Sequence, residues 1–352
     1  MPMPDRLRKW NKRFDTYVHR KAAERGNVLA MAGLAAMLRE EGELAESEVW
    51  YRRAAAGGDR VSMTTLAHLL AERGDHDEAE RWYHESAMAG DPHGMLHLGL
   101  AHERRHELDS AERWWRSAAD AGDFDAMAAL GHLLLARGHP GEAGEWCRSA
   151  AEAEHTGAML DLGILLNDQG RTAEAARWWR RALDGGEPAA TCLLGRQAER
   201  SGRPAEAEDW YRRGAEDHHV EAMVRLGLLL HRRGDLGEAE VWYLEAVEQG
   251  DAVALTNLGV LARHRGDDRA AAGWYRRAAE RGSVPALTSL GHLAEAGGDV
   301  ARAEKWFQSA AESGDVQGML SLARLLETRG ADAAAKAWLT RADNARTDSD
   351  RY

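Results

Sequence analysis

The chain has 352 residues, 46 basic against 58 acidic, a formal charge of −12, and an apolar share of 44%. That share is enough to bury a core and excludes general disorder. The acidic balance disfavours nucleic acid as a partner, because such binding releases counterions through many basic contacts.

Two cysteines, Cys147 and Cys192, are too few and too distant for a zinc motif or a disulfide framework. No apolar run approaches the ~20 residues of a membrane span. The opening Met1-Pro2-Met3-Pro4-Asp5-Arg6 turns polar at once, unlike a secretory signal. The expectation is a cytoplasmic chain in a reducing compartment, with no cofactor and no membrane contact.

Ten tryptophans stand at a constant interval of 32 residues: Trp50, Trp82, Trp114, Trp146, Trp178, Trp210, Trp242, Trp274, Trp306 and Trp338. A fixed period of this length is the mark of a repeat array. Sixteen residues before each Trp stands a Leu, from Leu34 to Leu322. Eight before it stands Gly in nine units, with His106 as the exception.

In chain order, residues 1–27 are predicted as a single basic capping helix, with Val18 in the Trp place and Trp10 and Phe14 on its apolar side. Its first 25 residues carry Arg6, Arg8, Lys9, Lys12, Arg13, Arg20, Lys21 and Arg25 against three acids. Residues 28–343 form ten two-helix units. In the fifth, Ala158, Met159, Leu162, Leu165 and Leu166 make one helical stripe, and Ala175, Trp178, Trp179 and Ala182 make the next. Asp59, Asp91, Asp123, Asp251 and Asp315, each after a Gly, are predicted N-caps. Pro92, Pro140, Pro188, Pro204 and Pro285 fall at expected first turns. A small residue follows the repeat Leu in every unit, Gly163 among them, and predicts close helix approach. The Trp row is expected in the core. Residues 344–352 read as a polar tail, and without a linker the whole is expected to be one domain.

The third unit departs most. It holds His93, His97, His102 and His106, and Ala101 with His102 replaces core Leu, which predicts a weak joint. His93 and His97 share a helix face at a spacing able to hold a metal, but no carboxylate or Cys completes a set at a known spacing. Gln197 and Ala198 loosen the sixth unit similarly.

The Leu-Gly pair, the Ala before the Trp and the aromatic after it resemble a tetratricopeptide repeat. The string Trp274-Tyr275-Arg276-Arg277-Ala278-Ala279-Glu280-Arg281-Gly282 is more similar to the Sel-one-like repeat. The resemblance covers roughly residues 18–343. It implies an all-α, right-handed α-α superhelical solenoid of ten two-helix repeats plus an N-terminal capping helix. It also implies that first helices line a concave face.

On that face, Leu96 with Leu100, Leu160 with Ile164, and Val224 with Leu228 form an apolar track. Arg196, Arg225 and Asn257 come from three successive first helices, a broad likeness to the carboxylate-holding residues of tetratricopeptide proteins. The leading expectation is a non-enzymatic protein–protein interaction scaffold or adaptor that binds a peptide or partner protein in the concave groove. A regulatory or nucleic-acid-associated adaptor working through the basic N-terminal helix is the alternative. A hydrolase rests on family resemblance alone. No phosphate loop or nucleophile elbow is present. The oligomeric state is not legible.

Overall fold

The computed structural model describes the backbone of residues 5–349 and the side chains of residues 15–346. The expectations for Trp10, Phe14 and the cations Arg6 to Arg13 concern side chains outside those described. Among the described residues there are 21 α-helices and no strand.

The helix ends follow from glycine and aspartate. Gly58 has φ +90, its N–H donates to Ala55 O at 2.9 Å, and the Asp59 N–H donates to Ala54 O at 3.1 Å. This pair of bonds is a Schellman motif, which needs a left-handed residue that glycine supplies without strain. The Asp59 carboxylate then accepts the Ser62 N–H at 2.8 Å, so one residue ends one helix and caps the next. Asp91, Asp123, Asp251 and Asp315 cap their helices in the same way. Pro92, Pro140, Pro204 and Pro285 sit in first turns, while Pro188 lies one residue outside its helix.

The odd residue of the glycine row keeps the glycine conformation: His106 has φ +59. An L side chain is strained there. Replacing the exposed His106 by Gly should therefore raise unfolding stability by about 1 kcal/mol, read from urea denaturation. A loss of stability would show that this turn stores no strain.

The chain divides at a repeat boundary of the sequence into two compact units, Met1–Gly186 and Glu187–Tyr352, each described by itself. The first unit holds α1 (Asp5–Glu24) and five pairs. These are α2 (Val28–Glu40) with α3 (Leu44–Ala56), α4 (Arg60–Arg73) with α5 (His76–Met88), and α6 (Pro92–Arg104) with α7 (Leu108–Asp120). They continue with α8 (Phe124–Ala136) and α9 (Pro140–Glu152), then α10 (Thr156–Asp168) and α11 (Thr172–Asp184). The second unit runs from α12 (Ala189–Arg200) and α13 (Pro204–Glu216) through α14 (Val220–Arg233), α15 (Leu236–Glu248), α16 (Ala252–His264) and α17 (Asp268–Glu280). It ends with α18 (Val284–Ala296), α19 (Val300–Glu312), α20 (Val316–Thr328) and α21 (Asp332–Ser349), whose helix continues past residue 343. In each unit successive helices pack in order, and first helices also touch one another, α8 on α10 and α14 on α16 for example. Each unit is an α-α solenoid of stacked helix pairs.

The core does not sit where the tryptophans suggest. Trp50 is buried, but the other nine of the row are only half-buried. From Trp82 to Trp306 the residue after the Trp lies deeper: Trp115, Trp179 and Tyr275 are 1% exposed, and Tyr211, Tyr243, Phe307 and Cys147 are fully buried. Gly99, Gly163, Gly195, Gly227, Gly259 and Gly291, the residue after the repeat Leu, make room for them. A Cβ on Gly163 would lie 2.2 Å from Trp179 Nε1. Some of the half-buried tryptophans carry arginines on their faces, Arg181 over Trp178 at 4.5 Å and Arg277 over Trp274 at 4.7 Å.

Where core leucine is missing, space opens. A cavity of about 190 Å³ lies beside Ala101 and Tyr83, and an open one of about 800 Å³ beside His102 and Trp114. In the second unit Ala294 lines a cavity of about 240 Å³ with Leu290 and Trp306.

Candidate binding surface on the first helices

On the second helices, arginines two residues after the Trp place reach a glutamate one unit on. Arg20 meets Glu46 at 2.5 Å and Arg212 meets Glu238 at 2.7 Å, with Arg52–Glu78 and Arg116–Glu142 between the same positions. Arg20 repeats this pattern, so α1 takes the place of a second helix. Hydrogen bonds from these arginines hold Glu78, Glu142 and Glu238 below the usual carboxylate range. Arg73 and Arg233 add cross-links to Glu48 and Glu208 at 2.9 and 2.5 Å. Each such surface pair is individually weak.

The first helices expose an apolar side chain at a recurring position. Ile164 and Leu228 are each 37% exposed, and Val260, at the same repeat position, is 44% exposed. Leu100 and Leu160 are half-buried. Leu96 and Val224 are not surface residues: at 6% and 7% exposure they are part of the packing beneath. Their position lies in the seam between neighbouring first helices, and Thr64, Ala128, Cys192 and Thr288 at the same place are buried too.

In the first unit, Leu100 on α6 and Leu160 on α10 are brought to one open cavity of about 440 Å³, across α8. Trp115, His132, His155 and Asp161 also line it. The Trp115 indole N–H donates to Leu96 O at 3.2 Å, which fixes the cavity wall. His132 Nδ1 lies 3.3 Å from Asp161 Oδ2, and His155 Nε2 lies 3.5 Å from Asp125 Oδ1. The His132–Asp161 pair spans 29 residues, the offset between one first helix and the next across this face. A single-helix pattern does not show that offset, so the sequence singles out neither Asp161 nor His155.

In the second unit, Val224, Leu228 and Asn257 lie on α14 and α16. Arg225 donates to Glu221 at 2.7 Å, and Arg232 on the same helix donates to Glu199 at 2.5 Å, while Arg196 is exposed. The side-chain amide nitrogen of Asn257 is buried without a partner, as is the Tyr243 hydroxyl. Tyr211, at the place equivalent to Tyr243, donates its hydroxyl to Glu199 at 2.7 Å. His231 and His264 stand 3.0 Å apart beside them.

The histidines of the third unit do not converge. His97 meets His68 of the preceding first helix, Nε2 to Nε2 at 2.7 Å, with Tyr83 stacked on it at 4.6 Å. Burial, helped by His68 and His93, pushes the His97 imidazole down to about 4, so it is neutral at physiological pH. His93 turns instead to Asp123 at 3.3 Å. Among the described residues no group of three or more His, Cys, Asp or Glu is placed to hold a metal. Both cysteines are buried, and burial pushes the thiols up to about 12. No helix among the described residues is long and apolar enough to cross a membrane.

Comparison with known proteins places two repeat types on this one period. Tetratricopeptide repeat models match residues 61–85, 125–149, 160–218, 192–254 and 254–282. The Sel1 repeat model matches residues 28–59, 93–123 and 287–315. A search of the curated proteins finds no match. Among solved structures, a protective antigen of uropathogenic Escherichia coli strains with an SLR fold is 23% identical, with TM-score 0.64, over 95% of this chain and 82% of that one. A Sel1 repeat protein from Oxalobacter formigenes is 26% identical, with TM-score 0.58, over 79% of this chain and 90% of that one. The human IFIT1 dimer with PPP-AAAA is similar at 14% identity and TM-score 0.51, over 98% and 95% of the two chains, a likeness of fold alone.

Proposed function

We propose, from the premise that the chain belongs to the tetratricopeptide-like and Sel1-like helical repeat proteins, that it is a non-enzymatic scaffold that holds a peptide or partner protein along its first helices. Repeats of these kinds commonly mediate protein–protein contact. The observation that carries the reading is the row Ile164, Leu228 and Val260, exposed at one repeat position on the first helices. Exposed apolar side chains repeated at a fixed position are what an extended partner needs as anchors. Docking through the basic N-terminal helix draws less support, because Arg20 and Lys21 are already engaged by Glu46 and Glu24.

The test is a pull-down from native lysate with the parent chain and with Ile164→Asp combined with Leu228→Asp. The charged variant should keep its helical circular dichroism, since both sites are exposed, and should retain partners at least tenfold more weakly. Full retention by a folded variant would move the binding surface elsewhere. Unfolding of the variant would make both positions core.

A further inference from the structure

The cavity between α6, α8 and α10 has an electrostatic character that the rest of its unit lacks. Its walls are apolar at Leu100, Leu160 and Trp115, while Glu103, Asp125 and Asp161 bring three carboxylates to it and no Arg or Lys lines it. On the second-helix face of the same unit, Glu48, Glu78, Glu112 and Glu142 are each held by arginine. Inside the cavity, Asp125 and Asp161 face imidazoles instead. His155 is held from the other side as well: the Ala158 N–H donates to its Nδ1 at 3.1 Å, while its Nε2 faces Asp125. Burial raises the Asp161 carboxyl above its usual range, with the exposed His132 ring opposing that rise only in part. A carboxylate held out of water favours a cation with hydrogen-bond donors close by.

We propose that this cavity takes one basic side chain, arginine or lysine, from an extended segment of a partner protein. The aliphatic stem lies against Leu100 and Leu160, and the cationic head meets the Asp125 and Asp161 carboxylates. A long basic side chain has this division between an apolar stem and a charged tip. The volume of about 440 Å³ falls in the range of small-ligand pockets. The assignment rests on the first-helix face being the docking face, yet it fails separately from it.

The probes are three acetylated, amidated tripeptides: Leu-Arg-Leu, its lysine form, and its citrulline form, which keeps the shape of arginine without the charge. Each is titrated to millimolar concentration into the full chain with labelled leucine methyls. The Leu100 and Leu160 methyl resonances should move with the arginine or lysine peptide at least tenfold more readily than with the citrulline peptide. The arginine and lysine arms then say which head group is preferred. In Asp125→Asn combined with Asp161→Asn, a near-isosteric change, the preference for charge should disappear while circular dichroism is unchanged. Equal binding of citrulline, preference surviving in the folded double variant, or no methyl shift at all overturns the proposal. If the Ile164 and Leu228 variant still retains its partners but the charge preference stands, the docking-face reading falls and the cavity assignment survives.

Discussion

Trp179→Ala should destabilise the first unit by ~3–5 kcal/mol, whereas Trp178→Ala, one residue earlier, should cost only about 1–2 kcal/mol. Trp179 is 1% exposed, and its indole N–H donates to Leu160 O at 3.2 Å. Truncation there leaves a large void beside Gly163 and removes the indole's bond to the Leu160 carbonyl. Trp178 is half-buried and shares its ring with the Arg181 guanidinium at 4.5 Å. Its loss forfeits some apolar burial and one cation–π contact but opens no sealed cavity. Urea denaturation of the two variants, followed by circular dichroism, separates the cases. Equal losses would mean that the two tryptophans are equally buried in solution.

This inversion shows what a sequence reveals about a repeat. The Trp row is visible because it never changes, and constancy within one chain marks the register without marking depth. The deepest row varies, from Tyr51 and Trp115 through Cys147 to Phe307. Glycine stands opposite Trp, Cys, Tyr and Phe alike, so the small residue provides room without fixing one identity. Local signals with a local cause were fully legible. Asp59 and its equivalents cap helices because cap chemistry involves only the next three residues. His106 stood out because one turn needs one left-handed residue. The cavity residues were not legible in the same way. His132 and Asp161 come together through the packing of α8 on α10, and each alone is an ordinary polar residue on a helix. Leu96 and Val224 were placed on the face because a single-helix period cannot register the neighbouring helix that covers their seam.

The pairing of small residue and aromatic should be measurable directly. Gly163→Ala gains intrinsic helix propensity of about 1 kcal/mol. Its new Cβ, however, would meet Trp179 Nε1 at 2.2 Å and Cδ1 at 2.5 Å, both in a rigid ring. The indole must move, and its bond to Leu160 O goes with it. The expected net loss is about 3 kcal/mol. The chain itself contains the compensated form. Ala35 and Ala67 occupy the Gly163 place in the first two units, and there the buried aromatics are Tyr51 and Tyr83. Gly163→Ala joined with Trp179→Tyr should therefore be less destabilised than the sum of the single changes, by at least about 1 kcal/mol in a double-mutant cycle. Strict additivity would mean that the indole escapes the new methyl by a route independent of its own size, and the matched-pair account of the core would fail.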